Sequence, residues 1–253
     1  LLVGTPVFRG CGDGTAATVG AGVTHKGECY CCLGSSAWVA CVDDSPLLDK
    51  EMRTFNLAGI QKGSVFPIGT MQAAGVSYNW MRDELCQREQ LEAERDGKDI
   101  YDCINSQIAQ VPFGANGVIY LPYLLGERSP WWDDRAKGAF LGLQKSTTHA
   151  DMLRAVMEGI SYNLALNLAV LRQRHQFREI RVMGGCAKEV VWRQILADMF
   201  GLPVQKLSHL DEACSMGAAV VAGIGAGVFT DSGAVAKFVQ TDGLSVPQPD
   251  AAE

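Results

Sequence analysis

The sequence predicts an α/β domain in which three meandering strands lead into strands that alternate with helices. Three observations point there. Runs rich in strand formers lie at 28–33, 37–42 and 64–68, and the first two are joined by Gly34-Ser35-Ser36, a hairpin signal. Downstream, Met152, Val156, Ile160, Leu164, Leu168 and Leu171 form one stripe at helical spacing. Past that stripe, strand-like and helix-like segments alternate to residue 226.

In chain order, residues 6–9 are a candidate strand leading into Gly10-Cys11-Gly12-Asp13-Gly14, and the small residues of 15–23 predict a tightly packed helix. After the three strands, Met71, Ala74, Tyr78, Met81 and Leu85 give helical spacing over 71–85. Residues 87–98 are the most charged stretch and read as an exposed helix end or loop. A strand at 118–121 ends at Pro122, and 124–136 is loop-like, with Gly126, Pro130 and paired tryptophans. The best-defined helix runs over 148–174 and opens on a capping box of Thr148 and Asp151. A strand at 180–183, a Gly184-Gly185 turn, a helix at 190–200 and a strand at 203–207 follow. Residues 212–226, almost all small and apolar, predict a buried helix. With 87–137 set aside as an insertion, the order from Glu28 is strand, strand, strand, helix, strand, helix, strand, helix, a ribonuclease-H-like arrangement. No internal repeat or low-complexity linker divides the chain.

The 253 residues, 47% of them apolar, suffice to bury a core in one large domain or two small ones. A net charge of −6 without a basic stripe or tail excludes nucleic acid or an anionic membrane as the main partner. A local phosphate site stays open, because glycine turns and helix ends bind phosphate without net positive charge. The nine cysteines are odd in number and lie mostly in apolar runs, as at Cys29, Cys31 and Cys32, which predicts reduced thiols in a cytoplasmic protein. Cysteine-bound metal is not expected, since there is no CxxC pair and no two histidines stand at ligand spacing. No apolar run reaches membrane-spanning length. The chain opens on Leu1-Leu2-Val3-Gly4-Thr5-Pro6 without an initiator Met, so it is expected to be a piece of a longer protein.

Glycine-rich turns at 10–14, 34–36 and 184–188 each follow a predicted strand, the place where α/β sheets bind ligands. None fits the P-loop or GxGxxG pattern. Asp13, at a helix start between two glycines, reads as a helix cap, the commoner use, or as a general base in a cleft. Gly34-Ser35-Ser36 is a hairpin turn or a cradle of N–H and hydroxyl groups for phosphate oxygens. Glu127 and Arg128 are catalytic or, as is commoner, an ion pair fixing a long loop. Trp131 and Trp132 stack a sugar or base, or pack in a core or interface.

Longer segments carry a resemblance. Gly138-Ala139-Phe140-Leu141-Gly142-Leu143, then seven residues, then Asp151-Met152-Leu153-Arg154-Ala155-Val156-Met157-Glu158, resembles the second signature of the FGGY carbohydrate kinases. Leu121-Pro122-Tyr123 with Gly126-Glu127-Arg128-Ser129-Pro130 is similar to the family's LPYLxGERxP segment. Gly184-Gly185-Cys186-Ala187-Lys188 with Trp192, Gln194, Ala197 and Asp198 is similar to its GGGAxxxxWxQxxAD segment, and Glu212 with Gly217-Ala218-Ala219 to its last helix. The likeness covers nearly the whole chain, and the xylulokinases look nearest.

That resemblance implies the actin-like ATPase superfamily fold: two ribonuclease-H-like domains with ATP and sugar between them. Residues 1–253 would be the carboxy-terminal domain, inactive alone, with the amino-terminal domain outside the chain. The resemblance makes Asp13 the catalytic base and gives Gly34, Ser35 and Ser36 to the ATP phosphates. Gly184, Gly185, Lys188 and Glu189 fall on the adenosine side. It implies Mg²⁺ held mainly by the other domain, with no metal ligand assigned here. The implied reaction moves the γ-phosphoryl of ATP to a hydroxyl of a ketopentose such as xylulose. Glycerol, ribulose or erythritol are alternative acceptors, and a catalytically silent actin-like nucleotide-binding module is the alternative class. Sugar and ATP are the implied partners, and a homodimer is compatible with them. Two departures stand out: Gly14, where the family has Asn or Gln, is expected to remove a sugar contact, and Ala37, where it has Gly, to restrict the phosphate loop.

Overall fold

A computed structural model describes residues 2–8 and 10–249. One seven-stranded sheet runs through it in the order β3-β4-β2-β1-β7-β8-β9. β1 (Cys29–Leu33) and β2 (Ala37–Cys41) form the expected antiparallel hairpin, closed by the pair Leu33↔Ala37. β4 (Val65–Met71) adds antiparallel to β2, and β3 (Phe55–Ala58) antiparallel to β4. On the other side of β1, β7 (Ile180–Met183) and β8 (Val204–Leu207) are parallel, and β9 (Thr241–Ser245) closes the edge antiparallel. The five inner strands carry the ribonuclease-H-like order, three meandering and two reached by helical crossovers.

Both faces of the sheet are covered. α5 (His149–Leu171) crosses β2 and β4 on one face, with α6 (Val190–Phe200) beside it. Its predicted capping box is present: Asp151 N–H donates to Thr148 Oγ1 at 3.2 Å and Thr148 N–H to Asp151 Oδ2 at 2.7 Å. The other face carries α1 (Asp13–Gly20), whose Thr18 hydroxyl meets the Tyr30 hydroxyl of β1 at 3.1 Å. α7 (Ala213–Gly225) lies directly on α1. A Cβ on Gly20 would stand 1.6 Å from Ala213 O, and one on Gly217 1.9 Å from Ala16 O, so only glycine allows these backbones to meet.

Several expectations change. Residues 6–8 form no strand, and Arg9 lies outside the described residues. Met71, expected to open a helix, ends β4 and pairs with Ala37 of β2 instead, and α2 (Gly75–Leu85) starts after it. The stretch 87–137 is not an insertion apart from the fold. It holds α3 (Gln87–Asp96), α4 (Ile100–Ile108) and β5 (Ile119–Leu121), which pairs with β6 (Ala139–Leu141). Ile104 and Ile108 of α4 and Tyr120 of β5 enter the main core. α7 is not buried throughout: Ala213, Gly217 and Val220 face α1, while Ala218, Ala219 and Ala222 are exposed. Composition alone cannot say what covers an apolar face.

Candidate functional site

The parallel register Cys32↔Met183 sets the carboxyl ends of β1 and β7 side by side. Gly184 follows with φ +91°, and a Cβ there would lie 2.6 Å from Leu33 O, so a glycine lets the two strand ends close up. The loop Gly34-Ser35-Ser36 leaves β1 at this point and is held from behind by the amino-terminal end of α2. Gly75 N–H donates to Gly34 O at 2.9 Å, and Ala74 and Val76 N–H donate to Ser35 O at 3.0 and 3.1 Å. The loop's own N–H groups donate to no backbone carbonyl among the described residues. The carbonyls of Gly34 and Ser35 are held while the loop's N–H groups stay unengaged by backbone, a polarity that suits a bound anion.

Two clefts meet at this loop. The first, about 510 Å³, is bordered by Gly34, Ser35, Gly185, Lys188 and Glu189, with Tyr78 and Tyr101 stacked at 5.3 Å on its wall. Gly185 leaves open space where a Cβ would stand. Burial raises the Glu189 carboxyl above its ordinary range, and the Asn105 amide donates to it. Lys188 Nζ reaches Asp211 at 3.6 Å across exposed surface. Gly184 belongs to the strand packing and does not border this cleft.

The second cleft, about 390 Å³, holds Asp13, Ser36, Trp38, Leu57, Thr70 and Arg128. Asp13 is the first residue of α1, with Gly12 in the cap position, and its exposed carboxylate accepts from Gly14 N–H at 2.8 Å. Around Gly14 the cleft is less open than the sequence suggests, because a Cβ would lie 2.7 Å from Leu57 Cδ1. Ala37 is buried in β2 and paired with Leu33, so it shapes the hairpin ladder and not the loop.

Glu127 and Arg128 are not the expected ion pair. Glu127 is 4% exposed and accepts from Gln72 N–H at 2.6 Å, Arg128 N–H at 2.8 Å and Asn163 Nδ2 at 3.0 Å. Burial pushes its carboxyl up to about 7 against the pull of those donors. Held through its backbone by Glu127, Arg128 turns into the Asp13 cleft. Trp131 and Trp132 are half-exposed and lie outside both clefts. Their ring N–H groups donate to Tyr123 OH at 2.8 Å and Met52 O at 2.7 Å. Sequence reasoning missed Trp38, Thr70, Tyr78 and Tyr101 as cleft residues. Their strand and helix periodicity is that of ordinary core positions, and only the fold turns them toward the loop.

The family model described as "FGGY family of carbohydrate kinases, C-terminal domain" matches residues 29–226. The xylulose kinase of Staphylococcus epidermidis is 34% identical over 245 residues, covering 95% of this chain and 47% of that protein. The gluconokinase of Bacillus subtilis is 31% identical over 251 residues, covering 98% and 48%. Among solved structures, the xylulose kinase from Rhodospirillum rubrum superposes with a TM-score of 0.82 at 30% identity, covering 99% of this chain and 49% of its own. The chain thus spans about half the length of the curated relatives it matches. Among the described residues, no helix is long and apolar enough to cross a membrane. The matched segment runs from β1 into α7 and includes the loop at 34–36 and the turn at 184–188, and the chain belongs to the FGGY family of carbohydrate kinases, as a C-terminal domain of that family.

Proposed function

We propose that residues 1–253 are the carboxy-terminal domain of a two-domain, ATP-dependent kinase that phosphorylates a hydroxyl of a sugar or polyol, with a ketopentose such as xylulose as substrate. The observation that carries this reading is the loop at 34–36, which borders both clefts and whose N–H groups donate to no backbone carbonyl among the described residues. A nucleotide running from the Gly185 cleft would bring its phosphates to that loop and its terminal phosphate toward Asp13. The unfilled donors fit a polyphosphate. For Mg²⁺, Asp13 is the only carboxylate bordering the second cleft among the described residues, so most of its ligands would come from phosphate oxygens and the other domain. ATP with Mg²⁺ supplies the transferable phosphoryl group and neutralises its charge when bound.

The chain's own residues then have distinct tasks. Gly34, Ser35 and Ser36 hold phosphate oxygens through N–H and hydroxyl groups. Gly185 admits the adenosine end, bordered by Lys188 and Glu189. Asp13 orients the acceptor hydroxyl and takes its proton, worth about 10²–10⁴-fold. Arg128 supplies positive charge in the same cleft as Ser36.

The test is Asp13→Asn in the full-length protein, assayed against xylulose, ribulose, glycerol, erythritol and gluconate. Asn keeps the shape and still accepts from Gly14 N–H but cannot take a proton, so kcat should fall by about two orders of magnitude or more with folding intact. A well-folded Asp13→Asn protein with near-normal kcat would leave Asp13 a helix-terminal residue only. Run alongside, the 253-residue chain alone should release no sugar-dependent ADP, and turnover by it would overturn the two-domain reading.

A further inference from the structure

Away from both clefts, three chemically distinct donors converge. Cys86 is the single residue between α2 and α3, Glu89 stands one turn further along α3, and His149 is the first residue of α5. One ligand atom from each lies within 4.8 Å of the other two. None of the three borders either cleft. Cys86 and Glu89 are buried, at 0% and 1% exposure, whereas the His149 side chain keeps 40% of its surface in solvent.

The carboxylate of Glu89 is only half accounted for. Its Oε1 accepts from Gln107 Nε2 at 2.6 Å and lies 3.5 Å from His149 Nδ1. Its Oε2 is buried without a hydrogen-bond partner among the described residues. A buried carboxylate oxygen left without a donor is costly, and natural folds seldom leave one so. A cation between the sulfur, this carboxylate and the imidazole removes that cost.

We propose that Cys86, Glu89 and His149 bind one borderline-soft divalent cation of the zinc class. A thiolate, an imidazole and a carboxylate make a donor set suited to zinc, while the sulfur disfavours magnesium and calcium. Bond lengths of about 2.0–2.3 Å to such an ion require the donor atoms to close to roughly 3.5 Å from one another. That closure asks for side-chain rotation, chiefly of half-exposed His149. Three protein ligands leave the fourth position to water on the His149 side. Binding releases the thiol proton to solvent and involves no change of oxidation state. Gln107, fixing Glu89 from behind, acts as an outer-shell support. Such a site ties the α2–α3 junction to the start of α5, and α2 is the helix whose other end holds the loop at 34–36. Sequence spacing hides it, because the ligands stand at 86, 89 and 149 and their meeting depends on the helices that the stretch 87–137 contributes.

The reduced, chelator-treated chain titrated with Co²⁺ tests this. One equivalent should bind saturably, with a thiolate-to-cobalt charge-transfer band and the strong visible bands of a four-coordinate ion, both bleached by Zn²⁺. Cys86→Ser should abolish the charge-transfer band, His149→Ala should weaken binding at least ~10-fold, and Gln107→Leu by about 10–100-fold. Because Cys86 is buried, His149→Ala is the decisive variant, with helix content checked by circular dichroism. No saturable cobalt binding would overturn the proposal. So would a charge-transfer band of unchanged affinity in His149→Ala and Glu89→Gln, which would assign the metal to other cysteines.

Discussion

Replacing Glu127 by Gln separates a buried charge from a buried shape. In the folded chain burial raises this carboxyl from 4.5 to about 7, while the unfolded chain leaves it near the ordinary value. Between those two values the folded state keeps a proton that the unfolded state has released. Stability therefore falls as the pH rises through this window, and the loss is complete above about 7. A shift of that size corresponds to about 3 kcal/mol. Gln is neutral at every pH and keeps one oxygen to accept from the N–H groups of Gln72 and Arg128. Its new NH₂ group can be met by turning the Asn163 amide, whose Oδ1 has no partner among the described residues. Urea unfolding of both proteins between pH 5 and 8.5, followed by tryptophan fluorescence in reductant, gives the difference in stability at each pH. Titrations common to both chains cancel in that difference, as does any fixed cost of the substitution. Because pH 5 already lies above the unfolded value, Glu127→Gln should gain on the wild type by about 2.5 kcal/mol from the acid to the alkaline end. A flat difference, or one in which the variant loses ground as the pH rises, would refute the buried-charge argument.

Gly217→Ala should destabilise the chain by about 1–3 kcal/mol in urea, because the new methyl meets the Ala16 backbone and α1 must part from α7; a value within about 0.5 kcal/mol of wild type would show that the helices can part freely. Gly185→Val meets open space and should leave folding unchanged. In the full-length protein it should raise KM for ATP at least ~10-fold with KM for sugar unchanged, and the opposite split would show that this cleft does not hold the nucleotide.

How much was legible in the sequence depends on what each signal reports. The hairpin at 28–42, the helix capped by Thr148 and Asp151, and the alternation past residue 180 were readable, because period and caps are local. β3 was not: its residues are only partly buried, and pairing with β4 makes it a strand. β9, with Gly243 within it, likewise exists through its partner β8. α4 carried a readable stripe of Ile100, Ile104 and Ile108 behind the cap Asp99, whose side chain accepts from Tyr101 N–H at 2.8 Å. It was hidden by treating the charged stretch before it as the start of an insertion. At the candidate site, the glycine turns at 34–36 and 184–188 lie at adjoining strand ends, since close backbone approach is written in residue type. The side chains opposite them were not marked, since Tyr78 or Trp38 looks the same facing a core or a cleft.

The two departures from the family pattern have different weight once β3 is in place. Ala37 replaces glycine inside a strand, at a pair that any small residue can occupy, and its amide belongs to the ladder. The loop proposed to meet phosphate is residues 34–36, and the carbonyls of Gly34 and Ser35 are held by the start of α2 whatever stands at 37. Gly14 is otherwise. The space a side chain would take there is already used by Leu57, reaching across from β3 to within 2.7 Å of the missing Cβ. A larger residue at 14 would have to turn the far end of Leu57 aside, and Leu57 borders the same cleft as Asp13. Gly14 and Leu57 are therefore one feature: where a polar side chain would stand beside Asp13, this chain sets a methyl group. The wall next to the carboxylate is apolar at that point, which leaves Ser36, Thr70 and Arg128 as the polar side chains lining this cleft besides Asp13.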